Sequence, residues 1–165
     1  MLEEAELLIS PWAAEAGPSN VAIQKRLIRS PASGRFLGFA RSVLPLSWRS
    51  WLTRKTLQVF ETEDASLLMT VYRPWVVRRT WEVYDAEERR VGFIYRNGLW
   101  DSSGARLAGT QRNAASGGGR FIGSTGTELA HFDMGHPEGI RLGFHAALVG
   151  KPFDRMTVLA AVLSW

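Results

Sequence analysis

The chain is patterned in short alternating runs separated by turn residues. Residues 57–73 read L-Q-V-F-E-T-E-D-A-S-L-L-M-T-V-Y-R, and residues 81–96 read W-E-V-Y-D-A-E-E-R-R-V-G-F-I-Y-R. In each, an apolar-aromatic run is followed by an acidic turn and a returning run that closes on Tyr-Arg. The second copy is one residue shorter after the turn. Period-two alternation on both sides of a short polar break is the pattern of a β-hairpin, so the chain predicts two copies of one hairpin.

The same alternation with small turns predicts further strands over 21–28, 91–96, 99–101, 105–110, 120–123, 128–133 and 140–146. Asn97-Gly98 predicts a type I′ turn, whose two central residues both need positive φ. Residues 113–119 predict a loop. Pro45 rules out one long helix through 35–55, although Ser47 is placed to cap a short one. Many short strands with tight connections predict an all-β sandwich or barrel.

One element departs from this pattern. From Phe153 the chain reads F-D-R-M-T-V-L-A-A-V-L-S-W, with Asp154 as the expected N-cap. A helix apolar on every side must be buried on every side. At about 16 Å it is far short of a roughly 30 Å hydrocarbon core. A β-rich chain that encloses such a helix is most simply a closed antiparallel barrel wound around it. Residues 21–165 are expected to form that single domain, with 1–20 as an acidic N-terminal extension.

Charge changes the picture more than composition does. The 165 residues carry a formal charge of +4, but unevenly. Residues 1–20 hold four acids and no base, 21–60 hold eight bases and no acid, and 61–165 hold twelve of each. The basic segment also holds Phe36, Phe39, Trp48 and Trp51. Bases interleaved with large aromatic rings suit an anionic surface, membrane or nucleic acid. The same letters also arise from half-buried strands with a solvated arginine face. The chain has no cysteine, which excludes disulfides and thiolate chemistry and fits a reducing compartment. The acidic start lacks a secretory signal, so a cytoplasmic protein is expected, peripheral at the inner face of the membrane.

Catalytic patterns are scarce. Residues 118–125 have phosphate-loop glycine spacing, but Ser124 stands where the lysine belongs and strand-like sequence follows. His131, Asp133 and His136 are the best metal-ligand candidate, with His131 and Asp133 on one face of a strand. They match no recognised ligand spacing, and a polar turn gives the same letters. The carboxylates of 61–64 and 85–88 fall in equivalent hairpin turns, where turn chemistry accounts for them. No enzyme and no cofactor are expected. Trp75, Trp81 and Trp100, at strand ends, are expected to pack at a barrel rim. Arg73 and Arg96, each following a tyrosine, are expected to face outward.

The two hairpin units and the apolar C-terminal helix resemble the tubby C-terminal-like superfamily, in its phospholipid scramblase and LURP-one-related branches. The resemblance covers roughly residues 56–165 well and 21–55 weakly. It implies a closed antiparallel barrel around a central apolar helix and a non-enzymatic role in contact with phospholipids or phosphoinositides. The Asp-rich calcium segment proposed in animal scramblases has no match here. Together, charge and resemblance predict an anionic lipid surface contacted by Arg41, Trp48, Arg49, Trp51, Arg54 and Lys55, with Arg73, Arg78 and Arg79 adding to the patch. The alternative is a barrel that binds an acidic protein partner and no lipid. Nucleic acid is a weaker partner, since no RNP, OB-type or helix-turn-helix pattern is evident.

Overall fold

The computed structural model describes residues 1–12, 15–16, 21–45, 55–61, 66–74, 80–113 and 117–164. Its strands are β1 (Glu6–Pro11), β2 (Glu15–Ala16), β3 (Val21–Arg29), β4 (Phe36–Pro45), β5 (Lys55–Glu61), β6 (Ser66–Arg73), β7 (Thr80–Asp85), β8 (Arg90–Tyr95), β9 (Gly98–Asp101), β10 (Arg106–Arg112), β11 (Gly119–Gly123), β12 (Glu128–Asp133) and β13 (Ile140–Phe144). A short 3-10 helix, Ala146–Leu148, leads to the α-helix α1 (Pro152–Leu163). The predicted hairpins are β5–β6 and β7–β8, and β3 and β8 to β13 lie within one or two residues of their expected places, whereas β1, β2 and β4 fall where no strand is predicted.

The antiparallel sheet runs in sequence order from β3 to β13 and is closed by β1. On one side β1 pairs with β13 (Leu7 opposite Leu142), and on the other with β3 (Ile9 opposite Ile28). The closed barrel has twelve strands, with β2 attached only to β3. This corrects the expected domain boundary: residues 6–11 are no extension but the strand that shuts the barrel. Leu7, Leu8 and Ile9 are buried, so the acids around them flank a stave rather than mark a solvated tail.

The hairpins are built by local chemistry. In the turns over 85–89, 101–105 and 123–127 the fourth residue has positive φ: Glu88 at 61°, Gly104 at 87° and Gly126 at 80°. Each turn closes with the same pair of backbone hydrogen bonds, such as Gly104 N to Asp101 O at 3.2 Å and Asp101 N to Ala105 O at 3.0 Å. This is the three-residue hairpin loop, a tight turn followed by a left-handed residue. Asp85 Oδ1 accepts from the Glu87 and Arg89 amides at 3.1 and 2.8 Å, and Asp101 Oδ1 does the same for Ser103 and Ala105 at 2.9 Å each. The acidic turn of the second repeat copy is therefore built by its Asp85 carboxylate, while residues 62–65 of the first lie outside the described residues.

A β-bulge follows near the start of the returning strand in five hairpins. The pairing skips Leu37, Leu68, Val91, Leu107 and Leu129. Leu37, Val91 and Leu129 belong to the core, and Leu68 and Leu107 pack against it. Each bulge thus adds one apolar residue to the end of the barrel where α1 begins.

Helix α1 is enclosed as its sequence requires, with nine consecutive residues, Arg155 to Leu163, all buried. Its expected start is corrected. The N-cap is Lys151 rather than Asp154, because Pro152, with preset φ and no N–H, takes the first helical position. Asp154 lies in the first turn, where a carboxylate complements the positive end of the helix dipole. Buried Arg155 donates to Leu148 O and Glu4 O, each at 3.0 Å, and to Leu2 O, with its guanidinium 4.9 Å from the Phe144 ring. It ties the N-terminal segment and the 3-10 helix to α1.

The Asn97-Gly98 turn is displaced by one residue. Tyr95 pairs with Gly98, so the central residues are Arg96 and Asn97, and only Arg96 has positive φ, at 53°. Gly98 instead begins β9.

Two substitutions test this account by urea unfolding. A Cβ at Gly92 would lie 2.5 Å from Thr157 Oγ1 and 2.6 Å from Trp100 O. Gly92→Val should therefore cost about 3 kcal/mol or more, since overpacking against a backbone oxygen cannot relax. Thr157→Ala should relieve only part of that loss. Glu88→Gly should stabilise by about 0.5–1 kcal/mol, the left-handed penalty of a non-glycine residue less glycine's own entropy cost. Unchanged stability in both variants would contradict the packing and the turn assignment.

Candidate functional site: the cationic mouth of the barrel

Alternation decides which side chains reach the interior. On β3, Gln24 and Arg26 share the face of buried Ile28. On β4, Ser42 shares the face of buried Ala40. On β5, Lys55 shares the face of Leu57 and Val59, and on β6 Arg73 shares that of Met69 and Val71. Toward the C-terminal end of α1 the interior rows thus turn from apolar to polar and basic. A cavity of about 190 Å³ lies there, lined by Gln24, Arg26, Ala40, Ser42, Lys55, Leu57, Trp81, Leu163 and Ser164 among others.

Arg26 anchors this end. Its Nη1 donates to Leu163 O at 3.2 Å, while Ser164 donates from its backbone N to Ala160 O at 3.0 Å and from Oγ to Ala161 O at 2.9 Å. Two of the carbonyls that a helix end leaves without intrahelical partners, Ala161 O and Leu163 O, are thereby satisfied, and a cation stands at the negative end of the dipole. Burial pulls the Arg26 guanidinium below the ordinary arginine value, but arginine remains charged throughout the accessible range. Lys55 and Arg73 lie opposite each other in the β5–β6 register, and the Arg73 guanidinium is 5.6 Å from the Trp81 ring centroid.

The outer wall at the same end is also basic. Lys25 and Arg41 are opposite each other in the β3–β4 register. Lys25 Nζ sits 5.1 Å over the ring of Trp12, which is 45% exposed. The buried Nε of Arg41 has no acceptor among the described residues. Within β3, β4 and β6 there is no carboxylate, and the only one on β5 is Glu61 at its far end.

The opposite end carries the acidic turns. Burial acts to raise the Asp85 carboxyl, but hydrogen bonds from the Arg89 backbone and side chain and the Arg89 charge outweigh it and hold it below the usual value. Arg89 Nε lies 2.8 Å from Asp85 Oδ2. The Ser103 hydroxyl, donating to Asp101, lowers that carboxyl as well.

Of the residues singled out in the sequence, the fold brings Arg41, Lys55 and Arg73 to one end of the barrel. Trp48, Arg49, Trp51, Arg54, Arg78 and Arg79 lie outside the described residues, as do the short helix expected after Ser47 and Trp75. Arg73 corrects its expected orientation: it shares the interior face, because the chain keeps strict alternation from Met69 to the strand end. Arg96 sits in the displaced turn with its guanidinium 5.2 Å from the Tyr95 ring, so the two do not take opposite faces. Arg26, Lys25, Gln24, Ser42 and Trp12 were not singled out. The available signal is Gln24 and Arg26, polar letters on the same face of β3 as Ile28.

The metal candidate is not assembled. His131 and Asp133 do share the exposed face of β12. However, Asp133 Oδ1 accepts from Gly135 N at 2.8 Å, and His136 Nδ1 accepts from Glu138 N at 3.3 Å. The His131 ring covers Gly143, where a Cβ would lie 2.4 Å from it. Among the described residues no three His, Cys, Asp or Glu side chains are grouped to hold an ion. Residues 119–123 form a strand, so the glycine-rich stretch opens no helix.

In comparisons with family models, curated proteins and solved structures, nothing matches this chain. The class that can be stated is therefore architectural: a closed twelve-stranded antiparallel barrel around one C-terminal helix. No helix among the described residues is long and apolar enough to cross a membrane.

Arg26→Met should lower stability by about 1–2 kcal/mol, because it removes the Leu163 hydrogen bond and the helix-end charge together. Lys55→Met should change it by under about 0.5 kcal/mol, as expected for a substitution away from such features. Equal effects of the two, measured by chemical denaturation, would contradict the helix-end role of Arg26.

Proposed function

We propose that this barrel is a non-enzymatic binding module that docks on anionic phospholipid surfaces through its cationic mouth. The observation that carries the reading is the placement of Lys25, Arg26, Arg41, Lys55 and Arg73 on four adjacent staves at one end of the barrel. The carboxylates of Asp85, Glu87, Glu88 and Asp101 are gathered in turns at the other end.

Such a distribution gives the molecule a direction in a field. The inner leaflet of a cell membrane is the anionic surface that basic clusters recognise, at about 1 kcal/mol per Lys or Arg near the surface. Trp12 and Trp81, each under a cation at this end, have the amphipathic ring that settles at interfacial depth. The barrel-around-a-helix architecture is also the shape implied by the resemblance to tubby-like and scramblase-like proteins, for which a phospholipid-contacting role is expected. What converges at the mouth is cations and neutral hydrogen-bonding groups, which suits holding an anion more than transforming one. The competing reading, an acidic protein partner on the same surface, predicts indifference to lipid.

Co-sedimentation with phosphatidylcholine vesicles, with and without phosphatidylserine, separates the two. Binding should require phosphatidylserine and weaken steadily with added salt. Replacing Lys25, Arg41, Lys55 and Arg73 together by glutamine should reduce it by about two to three orders of magnitude. No binding at low salt, or undiminished binding by the fourfold variant, would overturn the lipid reading.

A further inference from the structure

We propose that the cavity inside the mouth is a site for a single phosphate monoester, a reading that rests on the mouth being the docking end. The argument comes from unmet hydrogen-bonding capacity. Arg26 has five N–H donors, and the only acceptor it meets among the described residues is Leu163 O. The Gln24 amide, the Ser42 hydroxyl and the Lys55 ammonium make no side-chain hydrogen bond or ion pair among those residues. All four line one cavity, with Gln24 opposite Ser42 in the β3–β4 register.

Gln24 is exposed and Arg26, Ser42 and Lys55 are half-buried, so these groups still reach water, and their converging donors can exchange that water for an anion held in the cavity. The charge defines which ligand. Arg26 and Lys55 supply two positive charges, and among the described residues no carboxylate lines the cavity. A phosphate monoester carries about −1.5 to −2 at pH 7 and three acceptor oxygens. A phosphodiester or a carboxylate offers only one charge to the same pair of cations. Size narrows the choice further. At about 190 Å³ the cavity is smaller than the roughly 300–1,000 Å³ of pockets that enclose whole drug-sized ligands. It takes the phosphate and leaves the rest of the molecule outside. The surrounding rim, with Arg41 and Trp12, then meets whatever bears the phosphate.

Two sources share this chemistry, a lipid headgroup and free phosphate. The test measures binding to inorganic phosphate by calorimetry, and to phosphatidylcholine vesicles carrying either phosphatidic acid or phosphatidylserine at matched surface charge. Phosphatidic acid should be preferred by about tenfold, the value of one or two charge-assisted hydrogen bonds. The preference should fade as pH drops below about 6, where the monoester takes up its second proton. Lys55→Gln and Ser42→Leu, the latter filling the cavity, should each reduce binding to phosphatidic acid vesicles to the level of phosphatidylserine. Arg29→Gln, on the last residue of β3 at the opposite end, should leave the preference intact. Arg26→Gln should act like Lys55→Gln, and the latter keeps the test valid if loss of Arg26 unfolds the chain.

Equal binding to both vesicles with no phosphate binding would overturn the cavity site and leave the membrane reading standing. Phosphate binding that is sensitive to Lys55→Gln, with no vesicle binding, would support the cavity for a free phosphate compound and overturn the membrane reading. A preference that survives both Lys55→Gln and Ser42→Leu would overturn the cavity site.

Discussion

The structure is organised by one constraint, a helix that has no face to offer to water. Every residue from Arg155 to Leu163 is buried, so the rest of the chain must surround α1 and leave no gap. A sheet of antiparallel strands does this only by closing, and closure falls to β1, the first strand in sequence, which pairs with both β3 and β13. Gly92 allows β8 to approach Thr157 of the helix, and Arg155 fastens the N-terminal segment against the helix start. The five bulges add their leucines and valine at that end.

The same helix explains why the two ends of the barrel differ. Its peptide dipoles run along the core, and each end carries the complementary charge. Asp154 stands in the first turn, and burial raises its carboxyl despite the opposing pull of Lys151. Arg26 stands at the last turn. The hairpin turns with their aspartates belong to the first end, and Lys25, Arg26, Arg41, Lys55 and Arg73 to the second. The acidic turns at the first end are matched by neighbouring bases such as Arg89, so the end where those bases of β3 to β6 gather is the one suited to an anionic surface. Function, in this account, follows from the end that holds Arg26.

Much of this architecture is legible in the letters, and the parts that are not have physical reasons. The hairpin repeat and the all-apolar helix define a barrel around a helix because each pattern has one packing solution. The repeat extends further than its wording, since β3–β4, β9–β10 and β11–β12 share the bulge and its leucine while their other letters differ from the repeat. Glu3, Glu4 and Glu6 obscured β1, because charge at strand edges reads like a solvated tail while Leu7–Ile9 is too short to declare itself. The start of α1 is ambiguous in the letters because the cap signal of Asp154 competes with Pro152 two residues earlier. The proposed site is only half legible. Charge segregation points to the segment, but not to the inward face shared by Gln24 and Arg26, which depends on the parity of β3 against the closed sheet. The inward face of Arg73 depends likewise on the parity of β6, set by buried Met69 and Val71.

The most direct test of a directional barrel is a residue-resolved map of where anionic lipid touches it. In a two-dimensional amide NMR experiment on the ¹⁵N-labelled chain, nanodiscs containing phosphatidylserine would be titrated in. The account predicts shifts or broadening at Lys25, Arg26, Arg41, Lys55, Arg73 and Ser164, with the amides of Asp85, Asp101 and Lys151 unmoved. Perturbation centred on the acidic turns, or spread evenly over both ends, would contradict it.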